Sequence, residues 1–294
     1  MAKIAFIGLG AMGSGMAAVL ADKGHEVSAF DLNPEAMAKT AAAGCGAAAT
    51  IADAVEDADF IITMLPNANI VNAVFAGDDG VFRHAKPNAL LIDCSTIGVS
   101  DARHLGEDAR SNGFDFIDAP VSGGVAAAAA GTLAFMVGAS ETQFACAQII
   151  LQDMAKAVIH AGEIGAGQAA KLCNNMLLAS SMIATCESLI LAEKLGLDAK
   201  VFFNIASQSS GQNWSLTSYA PIKGLVPNAP VNRDFENGFA GSLMLKDVGL
   251  ALIEAEKAGF NPAMAQISKE LYSKYVVNAG IAKDFSGIIN MLRQ

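Results

Sequence analysis

The sequence predicts an α/β chain in two parts, a doubly wound and largely parallel sheet followed by an all-helical region. Three observations predict it. Short apolar runs bounded by turn residues alternate with helical stretches up to about residue 162, the pattern of strands joined by crossover helices. A glycine-rich turn, Gly8-Leu-Gly-Ala-Met-Gly13, follows the first apolar run directly. Beyond Gly162 the strand-like runs cease and long helical stretches fill the chain.

Lys3 to Ile7 reads as the first strand, Met12 to Lys23 as a helix that Gly24 can close, and Val27 to Asp31 as a second strand ending in an acid. This order of strand, glycine turn, helix, strand and acid is what a dinucleotide requires of a backbone, and it marks a Rossmann-type domain. Gly8 permits the tight turn, Gly10 lets the main chain approach a pyrophosphate, and Gly13 lets the helix pack on its strand. Leu9, Ala11 and Met12 complete the turn, and the helix N-terminus offers its free N–H groups to phosphate. The plain alternative is an ordinary strand-to-helix turn. Asp31 can accept from both ribose hydroxyls and would repel a 2′-phosphate, which favours NAD over NADP; its own alternative is a solvated acid at a strand end. The segment through Asn33 to Pro34 brings no Arg or Lys to pair with such a phosphate, and Lys39 is expected to lie too far along.

Pro34 opens a helix to about Ala43, as proline suits a first helical turn. Phe60 to Leu65 reads as a strand ended by Pro66, Ala89 to Asp93 as another leading to Thr96, and Phe114 to Asp118 as a third before the loop Ala119-Pro-Val-Ser-Gly-Gly124. Thr132 to Gly138 and Val158 to His160 complete the sheet. Ligands of such sheets lie at the carboxyl ends of strands, where Leu65, Pro66, Thr96 and Ser122 fall. The division is expected near Gly162 to Gly167, giving a nucleotide domain over 1–163 and a helical domain over 164–294. The latter opens with a helix from Ala166 to Leu195, about 45 Å long, apolar on nearly every face and therefore expected to be buried. Further helices are expected over Lys200 to Gln208, Leu243 to Ala258 and Ala263 to Ala279.

At 294 residues, with 53% hydrophobic against 16% charged residues and a mean hydropathy of +0.39, the chain can bury two cores and is not disordered. Its net charge of −10 argues against nucleic acid or an anionic membrane as partner. Lys171, Asn174, Asn175, Glu187 and Glu193 interrupt the long apolar helix, which disfavours a membrane span. The five cysteines form no C-x-x-C pair and suit a reducing compartment. The first apolar stretch is already a strand and shows no cleavage pattern, so a cytoplasmic protein is expected.

No His, Cys or carboxylate cluster has metal-ligand spacing, and His25, His84, His104 and His160 are scattered in unpromising contexts. Lys171 stands out, because a charged head early in an apolar helix must reach water or find partners. Asn174 and Asn175 follow three and four residues later on the same face. A cleft gathering Lys171, an asparagine amide and the Ser122-Gly123-Gly124 backbone could hold one small anion, with glycine N–H groups around a carboxylate. Oxidising an alcohol needs a group to take its proton as hydride leaves, which a partly buried lysine can do. A lysine merely reaching water is the alternative, Lys246-Asp247 reads as a surface pair of little weight, and Trp214 is expected in core packing.

With these residues assembled, the chain resembles the β-hydroxyacid dehydrogenase family, its 3-hydroxyisobutyrate dehydrogenase branch above all, over essentially its whole length. Four motifs carry the resemblance: Phe6-Ile-Gly-Leu-Gly-Ala-Met-Gly13, Asp118-Ala-Pro-Val-Ser-Gly-Gly124, Gly162-Glu-Ile-Gly-Ala-Gly-Gln-Ala-Ala-Lys171-Leu-Cys-Asn-Asn175, and Lys246-Asp-Val-Gly-Leu-Ala251. The resemblance implies a helical domain like that of 6-phosphogluconate dehydrogenase and a catalytic Lys171 assisted by Asn175. It implies that Ser122, Gly123, Gly124 and Asn174 hold a small anionic hydroxy acid. Leu65, Pro66, Thr96, Lys246 and Phe239 would join the glycine turn around NAD, and a homodimer or homotetramer would form through the helical domain. The implied reaction is oxidation of a 3-hydroxy acid, 3-hydroxyisobutyrate to methylmalonate semialdehyde first, within valine catabolism. L-serine or another β-hydroxyacid as substrate, reduction of tartronate or succinic semialdehyde, and a catalytically silent NAD-binding protein stand as alternatives.

Overall fold

The computed structural model describes residues 1–236, 238–279 and 282–294, and the chain forms two compact units, Met1–Lys171 and Leu172–Gln294. In the first unit β1 (Lys3–Ile7), α1 (Gly13–Asp22), β2 (Glu26–Phe30), α2 (Pro34–Ala42), β3 (Gly46–Ala47), α3 (Ile51–Val55) and β4 (Phe60–Thr63) form one half. The other half runs through α4 (Ala68–Ala76), α5 (Val81–His84), β5 (Leu90–Asp93), α6 (Val99–Ser111), β6 (Asp115–Asp118), β7 (Val121–Ser122), α7 (Gly124–Ala130), β8 (Leu133–Gly138), α8 (Glu141–Leu151) and β9 (Ala155–Gly162). The strands and helices expected in this region match to within a few residues, while β3, α3, α4, α5, α6 and α8 fall where the sequence reading named no element. The exception is the Ser122 loop, where Val121–Ser122 pairs with β8 and Gly124 opens α7.

The sheet order is β3-β2-β1-β4-β5-β6-β8-β7, with β9 on β8. Strands β1 to β6 are parallel neighbours, whereas β8 runs antiparallel to β6 and β7. The order reverses between β1 and β4, and a parallel sheet opens its ligand crevice at that reversal. Alternate residues of β1 face opposite layers, as the period of two demands. Ile4 and Phe6 pack with Met16 and Leu20 of α1 on one face, while Ala5 and Ile7 pack with Val71 and Phe75 of α4 on the other. Two buried layers explain why the central strands read as unbroken apolar runs.

The last element to start in this unit is α9 (Ala166–Lys194). Its first turn is held by Asp118 at the end of β6, which accepts the N–H of Gly165 at 2.7 Å and of Gln168 at 2.8 Å. A carboxylate is well placed there, because a helix N-terminus presents unpaired N–H groups and positive partial charge. Asp118 is fully buried, and burial pushes its carboxyl up to about 6 despite those bonds.

In the second unit the rest of α9, α10 (Ala199–Ala206), α11 (Trp214–Thr217), α12 (Gly241–Lys257), α13 (Ala263–Ala279) and α14 (Ile288–Leu292) surround one core. Met182, Cys186, Met244, Val248, Tyr272 and Phe285 lie at its centre. The expected burial of α9 holds for only half of its most apolar stretch, a stretch long and apolar enough to cross a membrane by length and composition alone. Leu177 is 67% and Leu195 76% exposed. An all-round apolar helix has more faces than a single chain of this size covers. Trp214 corrects the sequence reading as well: it is half exposed, and its ring stacks on Tyr219 at 4.9 Å instead of entering the core.

The raised Asp118 pKa has a defined sign. The folded state holds the proton more tightly than the unfolded chain, so this group's contribution is full below about pH 4 and is lost as pH rises to about 6. The total is on the order of 3 kcal/mol. Asp118→Asn, which cannot ionise, should therefore gain thermal midpoint relative to the unmodified chain between pH 4 and pH 7; a difference that stays flat across that window contradicts the assignment.

Candidate functional site

Gly8 leaves β1 with φ +97° and donates its N–H to Phe30 O at the end of β2, at 2.9 Å. A Cβ there would also meet Met64 O at 2.4 Å, so both conformation and space demand glycine. At Gly13 a Cβ would lie 1.9 Å from Gly8 O, which lets α1 start directly against the turn. Gly10 differs, since a Cβ there meets nothing within 4 Å. The space in front of Gly10 belongs to no protein atom and is where a pyrophosphate would approach.

Asp31 stands just past β2. Its Oδ2 accepts from Leu9 N at 2.6 Å and its Oδ1 from Asn33 N at 2.8 Å, and each oxygen keeps a lone-pair direction for a ribose hydroxyl. Asn33 also caps α2 by accepting from Glu35 N. Leu9, Gly10, Ala11, Ser14, Asp31, Asn33, Glu35, Ala36 and Lys39 line a cavity of about 340 Å³. Lys39 corrects the sequence expectation that it lies too far along: the face of α2 that carries Glu35 and Ala36 returns Lys39 to the same cavity, since residues three and four apart share a face. Met12 packs against the apolar core and is absent from this lining.

Along the carboxyl edge, Leu65 N donates to Ser95 Oγ at 2.8 Å. Asp93 Oδ1 in turn accepts from Ser95 Oγ at 2.6 Å and from Thr63 Oγ1 at 2.8 Å. This buried network shapes the turns that carry Leu65, Pro66 and Thr96. Ser122 ends β7, and Gly123 and Gly124 follow with φ +142° and +73°. Lys171 lies at the end of the first unit, 7% exposed, and among the described residues no other Lys or Arg is buried.

The second unit gathers its own polar group. Asn174 Nδ2 donates to Asn175 Oδ1 at 3.0 Å, and Asn175 Nδ2 to Asp247 Oδ2 at 2.5 Å. Lys246 Nζ stands 3.4 Å from Asp247 Oδ1. Lys246-Asp247 is therefore no surface pair: Asp247 is only 2% exposed, and its acid orients the Asn175 amide. Phe239 is placed by Asp284, a buried acid that accepts Phe239 N at 2.7 Å and Tyr219 OH at 2.8 Å. The Phe239 ring meets Phe285 edge-on at 5.9 Å.

Among the described residues no group of three His, Cys, Asp or Glu side chains is placed to hold a metal ion. His25 is clamped between Ala2 N and Asp153, and His160 bonds to Ala139 O. Sequence reading missed Ser95, Asp93, Gln168 and Asp247. Of these only Gln168 and Asp247 carried a signal, a position inside a recognised motif.

Residues 3–162 match the NAD binding domain of 6-phosphogluconate dehydrogenase, and residues 165–292 match the family described as NAD-binding of NADP-dependent 3-hydroxyisobutyrate dehydrogenase. A probable 3-hydroxyisobutyrate dehydrogenase of Mycobacterium tuberculosis is 43% identical over 100% of this chain and 98% of its own length. The chain belongs to the β-hydroxyacid dehydrogenase family. Another relative of that family, the NAD-dependent L-serine dehydrogenase of Pseudomonas aeruginosa, is 43% identical over 97% of this chain and 96% of its own. The solved structure of Mycobacterium tuberculosis 3-hydroxyisobutyrate dehydrogenase with L-serine is similar with a TM-score of 0.94, at 43% identity and full coverage of both chains. The chain is thus an oxidoreductase with NAD(P)-binding domains in a Rossmann sheet followed by a helical domain. The glycine turn, the Asp31 carboxylate and the cavity they line fit such a cofactor.

Two substitutions separate fold from cofactor at this turn. Gly10→Ala, which meets no protein atom, should fold as the parent does and weaken NAD binding at least about tenfold in calorimetry, because the methyl occupies the phosphate approach. Asp31→Ala should narrow the ratio of kcat/KM for NAD over NADP, with Lys39 available to the added phosphate. Unchanged cofactor selectivity would remove Asp31 from the ribose site.

Proposed function

We propose that this chain is an NAD-dependent dehydrogenase of 3-hydroxyisobutyrate, working in the cytoplasm and producing methylmalonate semialdehyde. One observation carries the catalytic reading: a buried lysine begins on a helix whose first turn is tied to the carboxyl edge of the nucleotide sheet. When bound, the nicotinamide supplies the acceptor for the substrate's hydride. Gly8 to Gly13 would hold the pyrophosphate, Asp31 and Asn33 the ribose, and Leu65, Pro66, Thr96, Phe239 and Lys246 the remainder of the dinucleotide.

The substrate enters as a carboxylate with a hydroxyl on its β-carbon. Ser122 Oγ and the N–H groups of Gly123 and Gly124 donate to the carboxylate, fixing the molecule by its anionic end. Neutral Lys171 Nζ accepts the hydroxyl proton as the C–H pair departs as hydride, leaving the aldehyde. In the reverse direction the same ammonium returns its proton to the carbonyl oxygen. Asn174 and Asn175, the latter turned by Asp247, offer amide donors to the substrate oxygen. Support for 3-hydroxyisobutyrate comes from the names of the similar proteins. A second reading, L-serine, is favoured by the 43% identical NAD-dependent L-serine dehydrogenase and by the serine in the similar solved structure.

The assembly is proposed as a homodimer or homotetramer, with a second copy covering the leucines that α9 leaves in water. Leu177 and Leu191 of α9, and Leu195 just past its end, lie at helical spacing on one face and are all more than half exposed. Light scattering should return a multiple of the 30.2 kDa chain mass, and Leu191→Glu should lower it; a monomer at micromolar concentration rejects the assembly.

Lys171→Ala should cut kcat by roughly 10²- to 10⁴-fold while calorimetry still shows NAD binding. A panel of 3-hydroxyisobutyrate, L-serine, glycerate and tartronate semialdehyde, run with NAD and NADP and followed by nicotinamide absorbance, tests substrate and cofactor together. Absence of turnover with every acid despite tight NAD binding would reject the dehydrogenase in favour of a silent binding protein.

A further inference from the structure

The first turn of α9 holds a second group with geometry suited to the chemistry. Gln168 is fully buried, and its amide spans two backbone groups: Nε2 donates to Ser95 O at 2.8 Å, and Oε1 accepts from Ile97 N at 3.2 Å. Those two groups flank Thr96. The Gln168 backbone N–H is itself held by Asp118. Ser95, gripped through its carbonyl, also bonds Leu65 N through its hydroxyl. One continuous series of hydrogen bonds thus runs from the Leu65 turn through Ser95 to Gln168, and Lys171 follows one helical turn later.

The helix start has little freedom to slide. A Cβ at Gly167 would meet Met136 O at 2.3 Å and Asp118 O at 2.8 Å, so α9 lies directly on the ends of β6 and β8. A planar amide that donates to one carbonyl and accepts from the N–H two residues on fixes both the height and the rotation of the turn that bears it. Among side chains only Gln and Asn do both through two separate atoms of one uncharged planar amide, and the longer one reaches from this helix.

We propose that Gln168 is the positioning residue of Lys171, setting the register of the proton acceptor against the Thr96 turn, and so against the cofactor edge of the sheet. The inference rests on the reading of Lys171 as that acceptor. A displacement of about 1 Å at a reacting group costs on the order of 10²-fold in rate, and the Gln168 amide ties this turn to the Ser95–Ile97 backbone at two points.

The test compares Gln168→Leu and the isosteric Gln168→Glu with the unmodified enzyme and with Lys171→Ala, in the full chain, using NAD and whichever of 3-hydroxyisobutyrate or L-serine turns over faster. The expected result for both Gln168 variants is a roughly 10- to 100-fold fall in kcat per NAD-binding site, with calorimetric NAD affinity changed much less. Substrate deuterated at the hydroxymethyl carbon should then show a full isotope effect on kcat, because hydride transfer has become the slow step. A merely structural role predicts a lower thermal midpoint and fewer active sites, with kcat per NAD-binding site within about twofold of the parent; that result overturns the proposal. Failure of both variants to fold would likewise mark Gln168 as purely structural. If Lys171→Ala keeps full activity, the underlying reading of the lysine fails; if it is inactive while the Gln168 variants retain kcat, only the positioning role does.

Discussion

A buried carboxylate at the end of a central strand, Asp118, receives the first N–H groups of the helix that carries Lys171, and the candidate chemistry depends on that attachment. Carrying a charge-capable group in the interior is expensive, and burial pushes its pKa up to about 6 even against the hydrogen bonds that favour the charged form. The helix terminus offsets part of this cost, because its unpaired N–H groups need an acceptor and cannot reach water beneath β6 and β8. Neither partner is comfortable there without the other. That mutual need places the helix start at the sheet's carboxyl edge, the same edge that bears the glycine turn, Asp31, Leu65 and Thr96.

The same principle recurs in the second unit with different residues. Asp284 accepts two side-chain hydroxyls and two backbone N–H groups, from Tyr219, Ser286 and Phe239, and burial raises its pKa above the usual carboxylate range. Asp247 turns the amide of Asn175. In each case an acid with no obvious catalytic task fixes a neighbour for which one is proposed: Phe239, Asn175 or, through the helix start, Lys171. Buried polar groups are costly when unmatched and stiff when matched, which suits residues whose function is to keep others still.

Much of the nucleotide unit was legible in the sequence because its signals are local. Gly8, Gly10 and Gly13 are separated by a fixed turn geometry, Asp31 ends its own strand, and the apolar runs of β1, β4 and β5 announce strands covered on both faces. The networks were not legible, because Asp118 with Gln168 and Asn175 with Asp247 meet across 50 and 72 residues of sequence. No periodicity encodes such a meeting. Lys39 shows the same limit on a shorter scale, since its distance from Asp31 along the chain concealed that one helix turns back to the same cavity. Leu177 and Leu195 show a different one: apolarity demands cover, and the sequence of one chain does not say whose.

The choice between 3-hydroxyisobutyrate and L-serine rests on a sharper contrast than the small difference in formula suggests. Both present a carboxylate and a β-hydroxyl, so the Ser122 loop and Lys171 would treat them alike. They differ at the α-carbon, where one carries a methyl and the other an ammonium. An extra methylene changes binding by only about 1–3 kcal/mol, but an ammonium taken from water without an acceptor costs several times that. An apolar wall at that position therefore disfavours serine, whereas a wall that offers oxygen acceptors leaves the methyl facing unsatisfied polar groups. The two acids make opposite demands on the same few atoms, so the groups that face the α-carbon set the preference between them.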